Sequence, residues 1–220
     1  MLFRSEAHEG ELLAPTDTFT VTNSYSTNQY AEVGLATGTT PLIQPTDVAR
    51  PGTAAATAIA ADNAARGVVL DDGASINFLS SANQGTPVPY LTNTAGNAVP
   101  VRVGARATLT APVVLEYRNS TWKFQPTAQL LATGTPPATF ANTRTPAPED
   151  VGGDLRLATF NVLNYFNTTG QAFVAAGGTC SYYNDRAGTP ITDNTCTPDG
   201  PRGAATTASF QRQQAKIVAA

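Results

Sequence analysis

VPVRVGARATLTAPVVLEYRNSTWKFQPT, residues 99–127, holds three strand-like runs. VRVGARATLT leads into VVLEYRN, and Asn119-Ser120 turns that run back into TWKFQPT. β-Branched and aromatic residues suit a pleated, half-buried surface, and short Asn-containing turns close hairpins. Upstream, EGELLA, TFTVTNSY and QYAEVGLATG read as further β-structure over residues 9–36, with Gly10 and Gly34 at bends of a curled sheet. A single helix is expected at TAAATAIAADNAARG, residues 53–67. Its Ala-rich body favours helix, Thr53 caps its start and Gly67 serves as its C′ residue. VVLDDGASINF then predicts a strand, an Asp-Gly turn and a second strand. Strands, one helix and more strands predict a mainly β fold built as a small Greek-key barrel over residues 9–131.

Arg102, Arg106, Arg118 and Lys123 give this barrel a local positive excess over Glu116, interleaved with Tyr117, Trp122 and Phe124. Aromatics beside cations on a barrel face stack the bases of single strands, which makes Arg102, Arg106, Arg118, Trp122 and Lys123 candidate nucleic-acid contacts. Ordinary alternation, with aromatics inward and charges solvated, is the reading that the pattern itself favours. Asp71 and Asp72 fit a hairpin turn better than a calcium site, which needs more oxygen ligands.

Composition bounds the function. Charged residues make up 13 % of the 220-residue chain and the formal net charge is −3, so no global basic field attracts nucleic acid. Contact with a polyanion must be local or carried by a metal. No stretch approaches the roughly 20 apolar residues of a membrane span. MLFRSEAHEG lacks the apolar core of a secretory leader, which alone argues for the cytoplasm, whereas the scarcity of Lys and the two cysteines argue for the exterior. The lone His8 earns no role.

Residues 132–153, ATGTPPATFANTRTPAPEDVGG, carry four prolines without periodicity and read as a linker or strap. LRLATFNVLNYF, residues 155–166, is a near-continuous apolar run, as expected of a strand buried on both faces. Cys180 and Cys196 lie in the polar stretch CSYYNDRAGTPITDNTC. Two exposed free thiols are a liability, so a disulfide is expected, worth about 3 kcal/mol on the chain-entropy account. ATTASFQRQQAKIVAA predicts a closing helix that runs to the last residue with no terminating signal, so a longer parent chain is expected.

FNVLNYF (160–166), PRGA (201–204) and RQQAKIVAA (212–220) resemble the extracellular, ExeM/NucH-like nucleases of the endonuclease/exonuclease/phosphatase family. FTVTNSYSTNQYAEVGLATG, PTDVARPG, VVLDDG and YRNSTWKFQPT resemble the OB-like domain that precedes the nuclease in such proteins. The resemblance implies an OB-like domain at 9–131, a linker at 132–153 and, at 154–220, the truncated opening of an α/β/β/α four-layer sandwich. Residues 155–163 would be its first strand and residues 207–220 its first helix. It further implies a secreted enzyme of DNA or RNA that hydrolyses phosphodiesters with Mg²⁺, Mn²⁺ or Ca²⁺, and no protein partner. Asn161 matches the motif's Asn, a catalytic residue at the active-site floor near or on the metal, where a neutral amide donates to an anionic oxygen. A turn cap is the ordinary role of a strand-end Asn. Asn164 fits a structural role, and Arg202 suits phosphate or a loop anchor equally. The metal-binding Glu and the catalytic His and Asp of the family fall beyond Ala220, so the fragment alone is expected to be inactive. The competing expectation is a non-catalytic secreted module that binds nucleic acid or a surface.

Overall fold

The computed structural model describes residues 6–130, 134–155 and 157–219. The chain divides into two compact units, residues 1–146 and 147–220. The first is mainly β. Strands β1 (Leu12–Leu13), β2 (Phe19–Asn23), β3 (Val33–Thr37), β4 (Gly67–Leu70), β5 (Arg106–Leu109), β6 (Val113–Arg118), β7 (Thr121–Pro126) and β8 (Ala138–Phe140) form one curled sheet. Its order is β1-β6-β7-β4-β3-β2-β5-β8, with β4 and β7 parallel and the other neighbours antiparallel. Three helices accompany it, α1 (Thr27–Tyr30), α2 (Pro45–Val48) and α3 (Ala54–Arg66).

Alternation decides the core. Phe19, Val21, Val33, Leu35, Val68, Leu70, Val113, Leu115 and Phe124 point to one face and are buried there. Phe78, Val88 and Tyr90, from the long irregular segment after β4, cover that face. The Tyr90 hydroxyl donates to the Asp71 carbonyl, which satisfies a polar group inside the cover. The sheet bends at a bulge where Asn23 faces Gly34, and a Cβ on Gly34 would lie 2.6 Å from that of Asn23. Asn119 and Ser120 both have positive φ, as a two-residue hairpin loop of the sheet's twist requires.

Some local expectations change. Thr53 does cap α3, its hydroxyl accepting from the Ala56 amide. Gly67, with φ −75°, opens β4 rather than adopting a left-handed C′ conformation. Residues 101–105 are irregular with a turn at Val103-Gly104, and no strand follows the Asp71-Asp72-Gly73 turn, because the segment is spent covering the core. The Pro-rich strap contributes β8, which pairs with β5. Leu131–Thr133, at the expected boundary of the barrel, lie outside the described residues.

The second unit contains α4 (Gly170–Ala175), the antiparallel pair β9 (Thr179–Asn184) and β10 (Pro190–Thr197), and α5 (Thr207–Ala219). Thr206 caps α5, its hydroxyl accepting from the Ser209 amide. The polar cysteine stretch is a hairpin rather than a loop, and Cys180 and Cys196 are directly paired across it in a disulfide, with Cα atoms 4.2 Å apart. Residues 155–163 do not form the expected strand. Leu155, Leu157 and Phe160 are 78, 89 and 58 % exposed, and the run has no strand beside it among the described residues. A strand exists only where a neighbour takes its amides and carbonyls. Arg156 and Ala220 lie outside the described residues.

Candidate functional site

Opposite the core, the sheet of the first unit floors a polar groove of about 670 Å³. Register explains its lining. Glu116 faces Lys123, Arg118 faces Thr121 and Val69 lies beside Lys123, so these side chains share the face that Leu115, Leu70 and Phe124 do not use. Tyr30 from α1 and Gly73, Ala74 and Ser75 from the turn after β4 complete the walls.

Lys123 anchors the groove's floor. It is only 4 % exposed, and its ammonium donates to Asp71 Oδ2 at 2.7 Å and to Glu32 Oε1. Burial pulls this ammonium toward neutrality, but hydrogen bonds and charge from Asp71 and Glu32 outweigh it, and its pKa shifts upward. Asp71 spends its other oxygen on the Asp72 and Gly73 amides, so the Asp-Gly turn is built around this carboxylate. Asp72 is 1 % exposed and its Oδ1 accepts from the Ala74 amide, while Oδ2 has no hydrogen-bond partner among the described residues. Burial pushes the Asp72 carboxyl up to about 6; the Ala74 amide opposes this and the Asp71 charge adds to it.

The interleaved basic and aromatic residues separate. Trp122 packs partly buried against the core beside Tyr117, ring centroids 5.0 Å apart, while Arg118 and Lys123 sit on the groove face. Lys123 is committed to two carboxylates and offers no free ammonium to a phosphate. Arg118 is exposed on β6 and Arg106 on β5, five strand spacings away, about 24 Å along the sheet; Arg102 is exposed in the turn before β5. The groove carries three carboxylates (Glu32, Asp71, Glu116) against two cations. That balance suits a small polar ligand better than a polyanion. Sequence reading missed Glu32 and the parallel β4–β7 pairing that delivers Asp71 to Lys123. The available signal was a lysine between Trp122 and Phe124, two aromatics of the opposite face.

In the second unit, the stretches that carry the family resemblance meet. The Tyr165 ring stacks on Phe210 of α5 at 5.4 Å, and Gln214 Nε2 donates to its hydroxyl at 2.9 Å. Gln213 donates to the Leu163 carbonyl. Gly203 lies against Phe166 and the Asn164 carbonyl, so closely that a Cβ there would meet both. Asn164, with φ 53°, is a turn residue. Asn161 is exposed, and its Oδ1 accepts from the Leu163 amide at 3.0 Å, the turn-capping geometry. Arg202 is exposed and His8 pairs with Glu11 on the surface of the first unit. Residues present around Asn161 do not fit a metal. Its side-chain oxygen already accepts the Leu163 amide, and no group of three or more His, Cys, Asp or Glu ligand atoms among the described residues converges on it; the one such group lies elsewhere, at Cys180, Asp193 and Cys196, with its sulfurs joined in the disulfide.

Asp193 was not singled out in the sequence. It is 3 % exposed, and neither side-chain oxygen has a hydrogen-bond partner among the described residues. Burial pushes its carboxyl up to about 6. The nearby Gly203 amide opposes this. No protein-family model, no curated protein and no solved structure matches this chain.

Proposed function

We propose that this chain belongs to a secreted, metal-dependent nuclease that hydrolyses phosphodiester bonds of extracellular DNA or RNA. In this reading the first unit is its OB-like domain and the second the opening segment of its α/β/β/α catalytic domain. The observation that carries the reading is that FNVLNYF meets both of the other stretches: Asn164 and Phe166 lie against Gly203 of PRGA, and Leu163 and Tyr165 accept from Gln213 and Gln214 of RQQAKIVAA, with the Tyr165 ring on the neighbouring Phe210. The exposed run from Leu155 to Leu163 adds support, since such a run is what a doubly covered strand looks like before its neighbours arrive.

Asn161 is the one residue here assigned to chemistry. With Oδ1 bonded to the Leu163 amide, its Nδ2 hydrogens are the donors an anionic phosphate oxygen would accept from. Removal of such a donor costs about 10²–10³ in rate. On this reading no metal ligand or general base is assigned among these residues, and the 220-residue chain is expected to be inert by itself.

The test compares this chain with the product of a reading frame extended past residue 220, both given plasmid DNA and RNA with Mg²⁺, Mn²⁺ or Ca²⁺. The expected result is chelator-sensitive cleavage by the extended protein, reduced at least 100-fold by Asn161→Ala, and none by the short chain. Cleavage by the short chain, or an Asn161→Ala variant at full rate, would overturn the assignment. A second reading, a non-catalytic binding module, is favoured by the groove of the first unit. Saturable binding of a neutral surface polysaccharide in that groove, with no cleavage by the extended protein, selects it, and binding of a nucleic acid there would contradict the groove's charge balance.

A further inference from the structure

Asp193 is a carboxylate placed where nothing in the hairpin solvates it. A buried ionised carboxylate is costly unless a cation or several donors meet it. The local sequence puts it there deliberately. Asp193 pairs with Tyr182 and Cys196 with Cys180, but β10 carries one extra residue between Asp193 and Thr195 relative to β9. In a regular strand, positions three apart point to opposite faces. The bulge at Asn194 turns Asp193 onto the same face as Cys196, which re-aims one side chain as bulges do. Gly170 leaves the room: a Cβ there would collide with the Asp193 carboxylate.

The result is a compact donor set. A carboxylate oxygen of Asp193 and the two sulfurs all lie within 4.8 Å of one another. Thiolate, thiolate and carboxylate are the ligands of a thiophilic divalent ion such as zinc. Tetrahedral zinc with bonds of about 2.3 Å needs its two sulfurs about 3.8 Å apart. Directly opposed residues of a hairpin meet that distance by side-chain rotation alone, because their Cα atoms, 4.2 Å apart, are already held by the strand ladder.

We propose that Cys180, Cys196 and Asp193 form a redox-gated metal site, closed while the disulfide is formed and able to hold one zinc-class divalent cation once it is reduced. Opening the site takes two electrons from a dithiol or phosphine, which is oxidised. The S–S bond breaks and each sulfur gains a proton, either from the dithiol as it closes to its own disulfide or from the water whose oxygen the phosphine takes to become its oxide. Metal entry then displaces both thiol protons to solvent, and the cation keeps its +2 charge. The bound ion meets two thiolates and one carboxylate, with a fourth position left for water. Cys180 is only partly buried, which provides the entry side.

The intact 220-residue chain serves for the test, reduced with a phosphine, freed of reductant under anaerobic conditions and titrated with Co²⁺ and then Zn²⁺. The expected result is one equivalent of Co²⁺ with a thiolate charge-transfer band in the reduced protein and none in the oxidised protein. Zn²⁺ should displace it. Asp193→Asn should weaken Zn²⁺ binding at least tenfold while keeping the band, and Cys180→Ser should lose half the band intensity or more. Hydrogen exchange across residues 179–197 reports whether the ladder survives reduction. An intact ladder with no bound metal overturns the proposal. So does a ladder that melts on reduction, since the ladder is what holds the two sulfurs in reach. Asp193→Asn with unchanged affinity reduces it to an ordinary dithiol.

Discussion

The two units solve the problem of an apolar strand in opposite ways. In the first, VGLAT of β3 lies between β2 and β4, so both edges are paired and Leu35 is fully buried. In the second, LRLATFNVL has an equally apolar composition, yet its Leu157 is exposed and no ladder among the described residues holds it. Composition sets what a segment can bury; neighbours set whether it does. The second unit is held instead by a disulfide-closed hairpin, the ring stack of Tyr165 on Phe210 and short helical contacts. Hydrogen exchange should show the contrast as its largest signal. Amides of β3, β4 and β7 should exchange at least ~10³-fold more slowly than those of residues 157–166, with residues 179–197 between them. Equal protection of the two apolar runs would mean that residues 157–166 have a packing partner that residues 6–219 do not display.

Charge is handled as differently as apolar surface. Lys123 in the first unit has two carboxylates around it, whereas Asp193 in the second has no partner among the described residues. Lys123→Met should therefore leave Glu32 and Asp71 facing each other without their cation and cost about 3–5 kcal/mol, read as a lower denaturant midpoint of the first unit. A loss below about 1 kcal/mol would show that water reaches the pair and that the groove floor is open. Triple replacement of Lys123, Glu32 and Asp71 by apolar residues should restore part of the loss, since the desolvation cost goes with the charges.

Much of the first unit was legible because its strands alternate and its turns carry their own chemistry. Asn119-Ser120, Thr53 and Gly34 all sit where local rules put a hairpin loop, a cap and a bend. Of the interleaved residues 117–124, Trp122 and Phe124 pack on the core as alternation predicts, whereas Tyr117 is exposed and Lys123 is buried between two carboxylates. What could not be read was long-range: the parallel pairing of β4 with β7, the use of residues 74–78 and 101–105 as cover and turn where strand was expected, and the strand taken from a Pro-rich strap. These depend on which surface needs covering, and local pattern does not encode that. In the second unit the disulfide was legible from two isolated cysteines, but Asp193 was hidden by the bulge, which inverts its face without any mark in the sequence. Residues 155–163 read as a strand from their apolar continuity, and among the described residues no neighbour takes their amides and carbonyls.

The pH response of the first unit offers a smaller effect. The native Asp72 carboxyl keeps its proton up to about pH 6, the unfolded one only to about 3.8. Between those values folding takes up a proton, so this contribution is fully present below pH 3.8 and is lost as pH rises through 6. Its size is at most about 3 kcal/mol. Wild type should lose stability relative to Asp72→Asn as pH goes from 4 to 8, followed by denaturant midpoints. A difference that does not change with pH would show that Asp72 is charged and paired throughout.

The smallest effect is the sharpest probe of the apolar run. A Leu→Ala change in a packed core removes contacts and leaves a cavity, at about 2–5 kcal/mol. Leu35→Ala in β3 should fall in that range, because the side chain is fully buried between paired strands. Leu157→Ala should change stability by less than about 0.5 kcal/mol, as exposed positions do. The pair isolates environment from chemistry, since the same atoms are deleted at both sites. If residues 155–163 become a core strand in an extended nuclease, Leu157→Ala placed in that longer protein should move toward the cost of Leu35→Ala. A cost that stays below about 0.5 kcal/mol there would mean the run is a surface segment in its own right and that the proposed sandwich does not form around it.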